Sequence, residues 1–433
     1  MDKPTLHFWS IWNMCVGFLG IQFAWSLQLA NMSPIYSYLG ATNAQIPLLW
    51  LAAPLTGLII QPIIGAMSDR TWCRLGRRKP YFLVGAILSS VALLLMPNSP
   101  TLWMAASLLW VLDASINISM EPFRALVADK LPDQQCSVGF ALQGFFVGLG
   151  AVLASMLPWL LRHFWGFDVD HNTNVAIPTH IEITFYIGSA VFLLAVIWTV
   201  TKTKEYPPAG RAQYQKPRIS EILTAIWLAF MNMPRVMKQV AIVQFFSWLG
   251  LFCMWLYFSN AVTDIFKATS PSDPLFTRGV EWAGMCYAIK DTVTFIVALF
   301  LAFISQKMCH RRLHGLCLLI GGLGLLSIGL ITGEHEKLWL LLAMAGVGVA
   351  WASILSMPYT IIASVIPKDQ VGVYMGIFNF FIVLPQIVCA LSLGWIVTHL
   401  LKGNLIHAVM IGGMLMLIAA FLTRRIDEKI TLV

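Results

Sequence analysis

The segment WVLDASINISMEPFR at residues 110–124 sets two carboxylates and a guanidinium inside an apolar run that begins near Leu102. An ionised side chain at the centre of a lipid-spanning helix costs at least ~2.5–3.5 kcal/mol, so such a placement needs a reason. At about 100° per residue, Asp113, Asn117, Glu121 and Arg124 fall within about 80° of one another. They share one face, and that face lines an interior path rather than lipid. Counted from Thr101, Asp113 lies about 18 Å along the helix, near the bilayer midplane, and Arg124 about 17 Å further, at its edge. Desolvation disfavours an ionised carboxyl, so Asp113 can load and release a proton. When ionised it accepts strong hydrogen bonds from sugar hydroxyls. Glu121 and Arg124 sit where a gate would be latched. A purely structural charge network, with Arg124 snorkelling to the interface, is the alternative for all three.

Other apolar runs carry compatible groups. Gln22, Trp25, Gln28 and Asn31 recur every third residue; Gln244, Trp248 and Trp255 share a helical face, as do Asn379 and Gln386. Indole rings under a pyranose face, with amides bonding its hydroxyls, make a sugar site. The alternative is that the amides join helices and the tryptophans mark membrane interfaces. Lys290 and Asp291 lie nine or ten residues below a surface. Neighbours on a helix point about 100° apart, so the two are read as filling different places, with Lys290 neutralising a carboxylate of another span or binding an anionic substrate. His310 and His314, beside Cys309, have a metal-compatible spacing but fall in a basic turn read as a solvated face. No metal site is expected, and no nucleophile–base pair, phosphate-binding glycine loop or HExxH motif suggests an enzyme.

These residues must be positioned by membrane helices. Hydrophobic residues make up 58% of the 433 and charged residues only 11%, against about 25% charged in soluble proteins. Twelve apolar runs reach spanning length, at roughly 8–36, 46–67, 80–97, 101–124, 136–161, 181–201, 239–263, 281–305, 313–332, 337–362, 371–400 and 405–423. With the N-terminus in the cytoplasm, 22 of the 28 Lys and Arg lie on the cytoplasmic side, five outside and Lys290 within a span. That is the positive-inside pattern; it accounts for the net charge of +8 without a nucleic-acid partner and puts both termini inside. No cleavable signal peptide is expected, and the eight cysteines read as small apolar packers.

The polar, Pro-rich stretch TKTKEYPPAGRAQYQKPR at 201–218 divides the spans six and six. We therefore expect an N-terminal six-helix bundle over 1–201, a cytoplasmic linker with an amphipathic helix over 202–238, and a C-terminal bundle over 239–433. The halves repeat: at an offset of 235 residues Pro132 matches Pro367, Gln135 matches Gln370 and Phe145–Phe146 match Phe380–Phe381. Duplicated six-span halves with a site near the midplane are the architecture of major-facilitator transporters, an all-α membrane fold.

Four segments carry a closer resemblance. GIQFAWSLQLANMSPIYSYLG at 20–40, GAMSDRTWCRLGRRKPYFLVGA at 65–86, LDASINISMEPFRALVAD at 112–129 and YMGIFNFFIVLPQIV at 374–388 resemble the sucrose–proton symporters and their glycoside–pentoside–hexuronide relatives within the major facilitators. The resemblance implies that Asp113 couples protons and contacts sugar. It implies that Asp69, Arg70, Arg77 and Arg78 latch the cytoplasmic gate, with Glu121 and Arg124 beside it. Adding the polar and aromatic groups read from the helical faces above, the expected substrate set is Asp113 with Trp25, Gln28, Asn117, Gln22, Trp248, Asn379 and Lys290. The expected function is proton-coupled import of a disaccharide or other glucoside by alternating access. The protein would be a monomer in a plasma membrane, such as a bacterial inner membrane, in contact with lipid, with no cofactor beyond the co-transported proton. The alternatives are a facilitator of an anionic or exported small molecule, for which Lys290 is the motive, and a sugar sensor that does not transport.

Overall fold

In hydrocarbon only helices and closed barrels satisfy every backbone polar group. In the computed structural model of the protein the long apolar runs are helical, and the described residues contain no strand beyond an isolated bridge between Cys73 and Gly76. The structure describes residues 5–166, 177–205, 227–305, 308–363, 365–366 and 371–427. In order, the long helices are the first, Gly17–Tyr38; second, Ala52–Arg70; third, Lys79–Leu95; fourth, Leu102–Lys130; fifth, Asp133–Trp165; and sixth, Thr179–Lys202. They continue with the seventh, Arg235–Ile265; eighth, Pro274–Ile304; ninth, His310–Ser327; tenth, Leu338–Ile354; eleventh, Val371–His399; and twelfth, Leu405–Leu422.

Among the described residues, eleven segments are long and apolar enough to cross a membrane. The first helix falls outside that set; Gln22, Gln28 and Asn31 lower its apolarity, yet most of its length is buried. The expected first span is divided into Phe8–Cys15 and Gly17–Tyr38. Of the expected linker, 206–226 lies outside the described residues, while 227–231 is helical with Trp227, Leu228, Phe230 and Met231 exposed. Residues 364 and 367–370, among them Pro367 and Gln370, also lie outside them.

Contacts divide the chain into two units, one of Met1–Ala209 with Ser259–Asp291, the other of Gly210–Phe258 with Thr292–Val433. A division by sequence repeat, six helices and six, is a different property from this division by contact. Within the first unit the first helix packs on the fifth and sixth, and the fourth on the second and third. Two glycines set these distances. A Cβ on Gly85 would lie 2.5 Å from the Ser115 carbonyl oxygen, and one on Gly20 would lie 2.8 Å from Phe192 Cα. Only a hydrogen fits at either place, so the fourth helix seats against the third and the first against the sixth. Thr101 caps the fourth helix by accepting from the Met104 N–H at 3.4 Å, which holds the start of the helix that carries Asp113. Within the second unit the ninth helix packs on the tenth and twelfth.

Candidate functional site

In the first unit, Asp113 and Gln28 are 2% and 0% exposed. The Gln28 amide Nε2 donates to Asp113 Oδ1 at 2.7 Å, joining the first and fourth helices. Asn117, one turn on, donates to the Asp113 carbonyl at 2.8 Å and to Thr56 Oγ1 at 3.2 Å. It accepts from Gln61 Nε2 at 2.6 Å. Its amide is thus engaged by the second and fourth helices and braces the helix beneath Asp113. Asp113 Oδ2, Gln28 Oε1 and Tyr36 Oη are buried without a hydrogen-bond partner among the described residues. No cation pairs with Asp113 among them either. Tyr36 is close enough to feel the Asp113 charge. An ionised carboxylate is costly in such surroundings unless paired. The open oxygen is therefore where a proton or a hydroxyl donor would be received. Gln22 bonds Ser26 Oγ at 3.2 Å, Asn31 donates to the Leu27 carbonyl at 2.9 Å, and Trp25 is half-buried.

One end of this unit is held by charge. Arg78, only 5% exposed, donates from Nε to Asp129 at 3.0 Å and from Nη1 to Ser68 Oγ at 2.6 Å. Arg77 lies 3.8 Å from Asp129. The Glu205 carboxylate accepts the backbone N–H groups of Arg77, Arg78 and Lys79 at 2.7, 3.0 and 3.0 Å, capping the third helix with a negative charge at its positive end. Glu121 is half-buried and Arg124 exposed, and neither forms an ion pair among the described residues. The side chains of Asp69 and Arg70 lie outside the described residues. Replacing Glu205 with Gln is expected to cost about 1–2 kcal/mol of thermal stability and to speed tryptic cleavage at Arg74, Arg77 and Arg78. Thermal unfolding in detergent and timed digestion check this.

At the other helix ends, Arg162 pairs with Glu281 at 2.8 Å, and His180 Nε2 lies 3.3 Å from the same carboxylate. Tyr38 bonds Thr277 at 3.1 Å, Asn260 donates to Ser37 Oγ at 2.8 Å and Ser259 to the Ala30 carbonyl at 2.9 Å. These contacts fasten the 259–291 portions of the seventh and eighth helices to the first, fifth and sixth. Lys290 and Asp291 do occupy one place, contrary to the 100° argument: Nζ reaches Asp291 Oδ1 at 2.6 Å, because a four-carbon stem spans the angle between neighbouring Cβ positions.

In the second unit, Trp248, Trp255 and Trp351 form a triad with centroids 6.0, 5.4 and 5.3 Å apart. Asn379 is half-buried, and Gln386 donates to the Ile382 carbonyl at 3.1 Å. His314, expected on a solvated face, is 1% exposed and bonds Ser353 at 2.7 Å; the ninth helix begins at His310, so His314 is already inside its packing against the tenth. Among the described residues no group of three or more His, Cys, Asp or Glu is placed to hold a metal. A cavity of about 690 Å³ between the ninth and tenth helices is lined mainly by apolar residues and by none of the expected site residues.

The family model described as Major Facilitator Superfamily matches residues 14–390. The chain belongs to this superfamily. It is a multi-pass membrane transporter rather than an enzyme. The general alpha-glucoside permease of Schizosaccharomyces pombe is 28% identical over 300 residues, 64% of this chain and 53% of that protein, so the chain spans about half the permease's length. The rice sucrose transport protein SUT1 (Oryza sativa subsp. japonica) is 26% identical, with 87% of this chain and 80% of that one covered. The Arabidopsis thaliana sucrose transport protein SUC4 is 24% identical over 87% and 81%. Among solved structures, the nucleoside transporter NupG superimposes with a TM-score of 0.70 at 15% identity, over 98% of this chain and all of that one. The Escherichia coli fucose:proton symporter FucP does so with 0.60 at 13%, over 97% and 98%. Those two likenesses show the fold.

Sequence reasoning misses several groups around this facilitator's polar cluster. Gln61 and Thr56 face Asn117, and Gln61 is the single amide within the apolar stretch GLIIQPIIG, which is a readable signal. Tyr36, Asp129 and Glu205 carry no such signal, since each gains meaning only from the helix opposite it. The same holds for Arg162, His180 and Glu281.

Proposed function

We propose that this facilitator imports a neutral sugar, a disaccharide or other glucoside, together with a proton by alternating access. The observation that carries the reading is the buried Asp113 carboxylate, fixed by Gln28 at one oxygen and open at the other. A proton on the open oxygen removes the cost of the buried charge, and a sugar hydroxyl can bond the same carboxyl. Loading with both prepares the site to close, while an empty ionised carboxylate opposes closure. The names of the alpha-glucoside and sucrose relatives support a sugar cargo. An anionic cargo loses its motive, because the Lys290 ammonium is neutralised by Asp291.

With the positive-inside orientation, both termini face the cytoplasm of a plasma membrane. The Arg77–Arg78–Asp129–Glu205 network then closes the cytoplasmic end, with Asp69, Arg70, Glu121 and Arg124 beside it. The Arg162–Glu281–His180 cluster lies at the outer end. Six helices on each side of the linker rock about the site, and the monomer is the working unit. A proton entering down 100 mV supplies about 2.3 kcal/mol, enough for roughly fifty-fold accumulation at one-to-one coupling. The test is uptake of radiolabelled sucrose and maltose by proteoliposomes. Accumulation above equilibrium is expected only with an inward proton gradient and is abolished by a protonophore. Uptake of either sugar indifferent to the gradient overturns the coupling, and uptake of neither overturns the cargo.

A further inference from the structure

The tryptophan triad of the second unit is not a finished core. A buried indole N–H normally finds an acceptor, as Trp50 does here: its Nε1 donates to Ser33 Oγ at 3.0 Å. In the triad, Trp248 Nε1 and Trp255 Nε1 are both buried without an acceptor among the described residues. One turn before Trp248, Gln244 accepts from Ser247 Oγ through Oε1 at 3.3 Å and leaves Nε2 unpartnered. Three donors thus sit on one face of the seventh helix, and indoles cannot accept. The opposite face is occupied: Gly250 is pressed to the twelfth helix, where a Cβ would lie 2.5 Å from the Gly412 carbonyl oxygen. The rings meet edge to face at 61°, 78° and 89°, so ring edges and faces from three indoles border the same donors.

We propose that Trp248, Trp255 and Trp351, with Gln244, form a donor-only aromatic subsite that reads acceptor oxygens of the transported sugar and packs against its C–H face. This rests on the sugar reading above and extends it. A carboxylate can be met only by a hydroxyl that donates to it. The triad asks for oxygens as acceptors. A ring or glycosidic oxygen serves the triad as well as a hydroxyl does, and an ammonium-bearing ligand does not.

Fluorine accepts hydrogen bonds weakly and donates none, so it separates the two demands. The experiment is calorimetric binding of methyl glucoside and its monodeoxy and monodeoxyfluoro derivatives to the purified full chain. At one or more positions the deoxy compound is expected to bind on the order of tenfold more weakly, with most of the loss restored by fluorine. That position should lose its preference when Trp248 or Trp255 is replaced by the benzothienyl analogue of tryptophan, which keeps the ring and removes the N–H. Trp255→Phe is the genetic counterpart, and equal unfolding temperatures guard against a general structural effect. A position read by Asp113 should reject both derivatives and stay unaffected by either change. If the sugar binds and no position shows fluorine rescue, or rescue survives loss of both indole N–H groups, the subsite is overturned while the sugar reading stands. If no glucoside binds, both fall.

Discussion

Asp113→Asn is expected to reduce gradient-driven accumulation from roughly fifty-fold at 100 mV to none, without unfolding the protein. Asparagine keeps an oxygen for Gln28 Nε2, which donates to Asp113 at 2.7 Å, and its amide adds a donor for Gln28 Oε1, which has no partner among the described residues. The variant thus satisfies two buried groups and loses the titratable one. An unpaired buried charge is costly, so with a neutral isostere the unfolding temperature should hold or rise. Sugar exchange across the membrane at equal concentrations should persist, since it needs no net proton movement. Paired measurements of accumulation and exchange in the same vesicles check this. Accumulation by the variant would remove Asp113 from the coupling step.

Under the proposed orientation and alternating-access cycle, Glu281→Gln is expected to shift the outer end toward its open form by roughly a hundredfold. The carboxylate is 8% exposed and lies between Arg162 and His180, with Arg162 a quarter exposed. Removing one member of a fully buried pair costs about 3–5 kcal/mol. The partial exposure of Arg162 reduces this to about 2–3 kcal/mol, or one and a half to two decades in an equilibrium. The cost falls only on the conformation in which 259–291 is fastened to the first, fifth and sixth helices. A cysteine at Thr277, now 3% exposed and bonded to Tyr38, reports it in a background lacking the other cysteines. Impermeant maleimide should label it much faster with Glu281→Gln than without. Equal labelling would mean the cluster is structural and does not gate.

Much of the fold and part of the site are legible in the order of the amino acids. The helical fold follows from apolar run length, because hydrocarbon leaves a backbone so few ways to satisfy itself. Asp113 stands out because a carboxylate at mid-helix must be inward, and helical periodicity puts Asn117 on its face. The same periodicity misjudges Lys290 and Asp291, since it describes Cβ directions and not where a long flexible side chain can end. His314 is misplaced by sequence reasoning because a helix start that looks basic and solvated is already packed against the tenth helix.

The order of amino acids alone shows which segments are long and apolar enough to enter a membrane, and it marks Asp113 as a carboxyl too costly at mid-helix to be accidental. These are properties of one helix in its solvent, and transfer energies along a chain suffice for them. It took the packed helices to show that Gln28 holds one oxygen of Asp113, that Asn117 is engaged by Thr56 and Gln61, that Glu205 caps the third helix, and that two indole N–H groups lack acceptors among the described residues. Each depends on the distance and rotation between helices tens to hundreds of residues apart. Those are set by close packing at places such as Gly20 and Gly85, which no pattern within one helix encodes.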